Sequence, residues 1–158
     1  MKKSLILKTI AVTSALLLLG AIAGAVTASA IPDWYSSLTK PAFNPPNWIF
    51  APVWTTLYLL MGISAGIVWN QGLRTAGVKK ALLVFGVHIL LNFLWSMLFF
   101  GLKSPMLALV EILILLVFIL WYTLEFCRIK RTLVWLQIPY IVWVSFATIL
   151  NGAIVWLN

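Results

Sequence analysis

The sequence predicts an all-α membrane protein, a bundle of five transmembrane helices, and three observations carry that prediction. Of 158 residues, 63% are hydrophobic and only 9% charged, with a mean hydropathy of +1.08, far from the composition of a water-soluble domain. Five apolar runs are each long enough, at about 20 residues, to cross a hydrocarbon core of about 30 Å as a helix. The breaks between them are mostly short and basic, so one transmembrane domain over residues 1–158 accounts for the chain. The net charge of +8 then reads as a topology signal, and no nucleic-acid partner is expected.

The first span covers about 5–30. Lys2, Lys3 and Lys8 ahead of it and Ala28-Ser29-Ala30 at its end imitate a cleavable signal peptide. The apolar stretch from Thr9 to Ala30 exceeds the usual length of such a region, however, and reads as a retained helix. Gly20 and Gly24 form a small-xxx-small pattern that permits close helix contact. Residues 31–47 form the longest connection and are read as a lid loop. From Thr39 to Tyr58 the chain interleaves Pro41, Pro45, Pro46 and Pro52 with aromatic residues. Each proline fixes one backbone angle and removes one amide donor, so the second span, about 48–69, is approached along a stiff path. Asn44 and Asn47 are placed to cap it, and Pro52 to bend it.

A basic turn with Arg74, Lys79 and Lys80 leads to the third span, about 81–100. Ser104 and Pro105 make an N-cap and first-turn pair for the fourth, about 105–126. Arg128, Lys130 and Arg131 precede the fifth, about 134–156, with a bend expected near Pro139. Of eleven basic residues only Lys40 and Lys103 fall opposite the others. The N-terminus is therefore expected to be cytoplasmic and the C-terminus outside, with the lid on the outer face.

Tryptophans at membrane interfaces are ordinary anchors, which accounts for Trp48, Trp69, Trp121, Trp135 and Trp156. Trp54, Trp95 and Trp143 lie deeper. Helical spacing places His88, Asn92, Trp95, Ser96 and Phe99 on one face of the third span. On the fifth span Tyr140, Trp143, Ala147, Leu150 and Asn151 share a face, and on the second Trp54, Tyr58, Gly62 and Ala65. Three faces of this mixed character can surround a cavity beneath the lid. Asn92 and Asn151 are costly in hydrocarbon unless paired; Asn151 reads as interhelical glue, whereas Asn92 fits glue and cavity wall equally well.

Other chemistry is sparse. Glu111 inside the fourth span reads as a buried packing residue in preference to a proton relay, and Glu125 as a partner of Arg128. His88, the sole histidine, reads as a hydrogen-bonded bundle residue in preference to a haem ligand. Cys127 is the only cysteine, which excludes an internal disulfide and a thiolate metal site. No hydrolase triad, phosphate loop or metal cluster is visible, and no cofactor is called for.

Trp34-Tyr35, Lys40-Pro41, Asn44-Pro45-Pro46-Asn47-Trp48, Pro52-Val53-Trp54-Thr55 with Leu57-Tyr58, Leu91-Asn92-Phe93-Leu94-Trp95, Phe99-Phe100-Gly101, and Pro139-Tyr140 with Trp143 and Phe146-Ala147-Thr148 occur in this order. Together they resemble the translocator protein family, also called the tryptophan-rich sensory or TspO/MBR family and the peripheral-type benzodiazepine receptors. The resemblance implies a five-helix bundle in a membrane, here of bacterial type and in the cell membrane, usually as a homodimer in contact with membrane lipid. It implies a pocket under the first loop for porphyrins such as protoporphyrin IX and for isoquinoline-carboxamide or benzodiazepine-type ligands.

Carried over position by position, Trp54 and Trp143 match the family's pocket tryptophans, implicated in light- or oxidant-driven porphyrin breakdown. Asn92, Trp95, Ala147 and Leu150 match its pocket wall, and Pro45 and Pro46 the end of its lid. Tyr35, Lys40, Tyr58 and His88 complete the set of expected ligand-facing residues. Binding or sensing is the leading functional reading; porphyrin degradation through Trp54 and Trp143, and transport of porphyrin or of lipid and sterol, are the alternatives. Leu120, Tyr122 and Arg128 meet only a loose sterol pattern. Gly152 and Leu157 stand where the family's C-terminal sterol motif has a tyrosine and a basic residue, which argues against high-affinity sterol binding.

Overall fold

A computed structural model describes residues 2–158, without the side chain of Lys2. Among them five α-helices and no strands are found: α1 (Lys2–Ala30), α2 (Phe50–Asn70), α3 (Val78–Ser96), α4 (Pro105–Ile129) and α5 (Val134–Leu157). With their flanking turns all five are long and apolar enough to cross a membrane. The chain is an all-α, multi-pass integral membrane protein. Contacts run from α1 to α2, α2 to α5, α5 to α4, α4 to α3 and α3 back to α1, while α2 also touches α3 across the bundle.

The first helix does not stop at the proline. Residues Ile31–Tyr35 continue it as a π-turn, in which the wider ring skirts the donor that Pro32 lacks and the clash its ring would cause. The start of the expected 31–47 loop is thus helical, as far as Ser37. The chain then turns sharply, with Asn44 N–H donating to Pro41 O at 2.9 Å and Ile49 N–H to Pro46 O at 3.0 Å. Neither asparagine caps α2 through its side chain: Asn44 instead accepts from the Tyr35 hydroxyl at 2.8 Å, and a short 3-10 turn, Asn47–Ile49, leads into the helix. Pro52 consequently falls in the first turn of α2, where a missing amide costs little, and not deeper as a bend. The Ser104 hydroxyl does cap α4, accepting from Leu107 N–H at 3.4 Å.

The loop is fastened to α5. The Asn158 side chain accepts from Thr39 N–H at 2.9 Å and donates to Thr39 O at 3.0 Å, and Phe43 lies edge-on to Phe146 at 6.3 Å. At the opposite, basic end Lys80 and Arg128 both meet Glu125, at 2.7 and 2.8 Å. Lys8 leans over Trp69 at 5.7 Å, which places these basic residues at one end of the bundle.

Close packing of α1 on α2 depends on two glycines of α2: Gly62, expected on a cavity face, and Gly66, which no pattern in the sequence singled out. A Cβ on Gly62 would stand 2.7 Å from Thr13 Cα, and one on Gly66 2.6 Å from Thr9 Cα. On α1, Gly20 makes room for the Tyr58 ring, but Gly24 meets nothing within 4 Å. The two helices are pressed together toward the basic end and part toward the loop end. Gly62→Val should therefore lower stability by about 1–3 kcal/mol, the usual range for overpacking. Thermal unfolding of purified protein in detergent would show it, and an unchanged midpoint would contradict the close contact.

Candidate functional site

Where α1 and α2 part, they leave a cavity of about 380 Å³, within the size range of small-molecule sites. Its sides come from three helices. α1 contributes small residues, among them Gly20, Ala21, Gly24 and Ala28; the start of α2 contributes Phe50, Ala51, Trp54, Thr55 and Tyr58; α3 and the turn after it contribute Asn92, Trp95, Ser96 and Phe100. Ala21, Gly24 and Ala28 on one side and Ala51 and Thr55 on the other are themselves exposed. The mouth therefore opens sideways between α1 and α2, onto acyl chains. The α1–α3 side is closed by the hydroxyls of Thr27 and Ser96, 3.3 Å apart.

The expected cavity was bounded by α2, α3 and α5; the observed one is bounded by α1, α2 and α3. Phe50, Trp95 and Phe100 form its back wall and also line, on their other side, a cleft of about 30 Å³ with Tyr35, Ala147, Leu150 and Asn151. That cleft has room for about one water. The space that Ala147 leaves on α5 is thus filled by aromatic rings. Trp143, expected opposite Trp54, does not line the cavity; it packs against Phe50 at 5.9 Å and Phe146 at 5.7 Å. Lys40 sits over the Tyr35 ring at 4.9 Å and donates to Leu38 O at 2.9 Å, outside the cavity. Pro45 and Pro46 steer the chain toward Asn47, the one residue of the 38–47 stretch on the cavity wall.

The floor is polar and ordered. The Tyr58 hydroxyl donates to Asn92 Oδ1 at 2.8 Å, and Asn92 Nδ2 donates to the Tyr140 oxygen at 2.9 Å. Having accepted there, Tyr140 donates to His88 Nε2 at 2.8 Å, and His88 Nδ1–H faces Phe85 O at 3.3 Å. Every partner in this chain is satisfied in one direction, with the imidazole neutral. Asn92 is thus both glue and wall. His88, expected among the ligand-facing residues, is fully buried beneath that floor and lines neither cavity nor cleft. It lies one turn from Asn92 toward the basic end, where α2 and α5 have already closed over α3.

Two more knots bind the core. Tyr122 donates to Gln137 Oε1 and Gln137 Nε2 to Ser64 Oγ, each at 2.6 Å. Asn151 accepts from Trp95 Nε1 at 3.3 Å and donates to Pro105 O at 2.8 Å, the glue role expected of it. Gln137 was missed in the sequence because it is a single polar residue near a span end. Tyr122, part of the loose sterol pattern, is fully buried and so not presented to lipid. Glu111 is buried with neither carboxylate oxygen bonded among the described residues, and it lines neither opening. No group of three metal-ligating side chains occurs among the described residues.

Comparison with known proteins adds to this geometry. The model of the TspO/MBR family matches residues 11–157. The chain belongs to the TspO/MBR family. It is 42% identical over 154 residues to the tryptophan-rich protein TspO of Archaeoglobus fulgidus, covering 97% of this chain and 98% of that one. It is 41% identical to the tryptophan-rich protein TspO of Chlorobaculum tepidum over 79% of each chain. With the human translocator protein it shares 33% identity over 75% of this chain and 70% of the relative.

As a TspO/MBR member whose cavity floor is a closed hydrogen-bond chain, the protein should tolerate loss of Asn92 poorly. Asn92→Leu leaves the Tyr58 hydroxyl without its acceptor and Tyr140 without a donor, at a cost of roughly 1–3 kcal/mol. Thermal unfolding in detergent measures it, and a wild-type midpoint would mean the chain carries no such weight.

Proposed function

We propose that this TspO/MBR protein binds a flat, apolar molecule with a polar edge, and that a tetrapyrrole such as protoporphyrin IX is its ligand class. One observation carries the reading: a cavity of about 380 Å³ that has indole and phenyl rings at its back, a phenol and an amide at its floor and a mouth of small residues. An aromatic plate stacks on Trp54 or Trp95. Asn92 keeps one N–H and Tyr58 an acceptor lone pair free for its polar atoms. The sideways mouth admits a ligand that partitions first into the bilayer, and it lets a plate larger than the enclosed volume project outward. Synthetic isoquinoline-carboxamide and benzodiazepine-type ligands, being apolar and aromatic, suit the same walls.

The names of relatives fit this reading: a tryptophan-rich sensory protein from Cereibacter sphaeroides is 34% identical over 126 residues. We place the protein in a bacterial cell membrane, N-terminus inside, as a homodimer, on the charge asymmetry and the family's habit. Porphyrin degradation is the second reading, favoured by the position of Trp54, whose easily oxidised ring faces the cavity and touches Tyr58 at 5.7 Å. Transport gains no support from Glu111, which faces neither opening.

Titration with protoporphyrin IX, followed by the shift of its absorption band, separates the two tryptophans. Trp54→Ala should weaken binding about tenfold, or about 1.4 kcal/mol, while Trp143→Ala changes it less than about twofold. Equal effects of the two, or none at Trp54, would remove the proposed site. The mouth has its own test. A Cβ at Gly24 would meet nothing within 4 Å, so Gly24→Leu, its side chain reaching into the mouth, should leave stability within about 0.5 kcal/mol of wild type while protoporphyrin binding slows and weakens; unhindered binding would mean the ligand enters elsewhere.

A further inference from the structure

We propose that Tyr140 and His88 form a proton-coupled redox site beneath the cavity floor, which returns an electron to Trp54 after that indole has been oxidised. The tyrosines differ in what their hydroxyls meet. The chain has four, and one histidine. Tyr35 donates to Asn44 Oδ1, Tyr58 to Asn92 Oδ1 and Tyr122 to Gln137 Oε1, all amide oxygens that do not take up a proton. Tyr140 alone donates to a basic nitrogen, His88 Nε2, at 2.8 Å.

A phenol that loses an electron becomes strongly acidic, so its oxidation is easy only where a base receives the proton as the electron leaves. His88 is that base, its far nitrogen already directed at Phe85 O, which steadies the imidazolium formed. Asn92 Nδ2 remains hydrogen-bonded to the phenolic oxygen throughout, at 2.9 Å. Both side chains are shielded from solvent, which keeps water from the radical. The electron's route is short: the Trp54 ring, on the cavity wall, lies edge-on to Tyr140 at 6.3 Å between centroids.

The balance closes. A one-electron oxidant in the cavity, an excited macrocycle or a quinone, takes an electron from Trp54 and leaves an indole radical cation. Tyr140 transfers an electron to it, restoring Trp54. The phenolic O–H bond breaks, an N–H bond forms on His88 Nε2, and the products are a neutral phenoxyl radical and an imidazolium cation. The positive charge moves from cavity wall to core. Trp54 is thereby spared the irreversible reactions of an indole radical with oxygen, which gives the site a protective role in any light-driven chemistry of the cavity. This step builds on the binding reading above, but its test requires no tetrapyrrole and so can fail separately.

The test uses the full chain in lipid nanodiscs with a membrane-soluble photo-oxidant, tetramethylbenzoquinone, excited by a laser flash. Transient absorption follows indole and phenoxyl radicals, and electron paramagnetic resonance of freeze-trapped samples identifies the carrier. In wild type the indole signal should give way to a phenoxyl signal, more slowly in D2O. The phenoxyl signal should vanish in Tyr140→Phe, fall sharply in His88→Gln and in Trp54→Phe, and persist in Tyr122→Phe. Should Tyr140→Phe not fold, 3,5-difluorotyrosine at position 140 retains the hydroxyl, and the hyperfine pattern of the signal should change. Indole oxidation with no phenoxyl in wild type, a phenoxyl signal that survives Tyr140→Phe, an unaltered pattern with the fluorinated residue, or an undiminished yield in His88→Gln would each overturn the proposal.

Discussion

Inside a bilayer a polar side chain has no water to turn to, and the cost of leaving it unpaired is what organises this bundle. Three buried hydrogen-bond knots meet that requirement. Tyr58, Asn92, Tyr140 and His88 join α2, α3 and α5; Tyr122, Gln137 and Ser64 join α4, α5 and α2; Trp95, Asn151 and Pro105 O join α3, α5 and the start of α4. Each knot spans three helices, so none of α2 to α5 can slide without breaking bonds that hydrocarbon cannot replace.

The first helix stands outside this arrangement. It is held by shape, through Gly62 and Gly66 against Thr13 and Thr9, and by the Thr27–Ser96 hydroxyl contact. Its most apolar window is 11% buried, against 28% or more in every other span. A locked four-helix core with a fifth helix resting on it explains where the cavity lies. Space opens where the glycine fit ends and no knot draws α1 inward, and the same looseness leaves a mouth toward lipid. The 38–47 loop, tied to α5 by Asn158 and Phe43, reaches the cavity only at Asn47.

Much of this was legible beforehand, for definite reasons. Five spans follow from hydropathy and length. The shared faces of Trp54 with Tyr58 and of Asn92 with Trp95 follow from helical periodicity, and all four residues line the cavity. The glue role of Asn151 follows from the cost of a bare amide. Elsewhere the tertiary packing departs from the expected arrangement. Trp143 and Ala147 share a face that does point inward, but Phe50, Trp95 and Phe100 stand between it and the cavity. His88 shares the Asn92 face but sits one turn too deep. The first helix, expected to end near Ala30, runs on through a π-turn that accommodates Pro32.

Residue order by itself determined the number of spans, their basic and loop ends, the family and the helix faces that carry aromatic and polar groups. Only the tertiary structure decided that α1, and not α5, closes the cavity, and which hydroxyl reaches the imidazole. The reason is physical. Periodicity states which side chains share one side of a helix, but in a bilayer the inward and lipid-facing sides are both apolar, so composition leaves open which helix stands opposite.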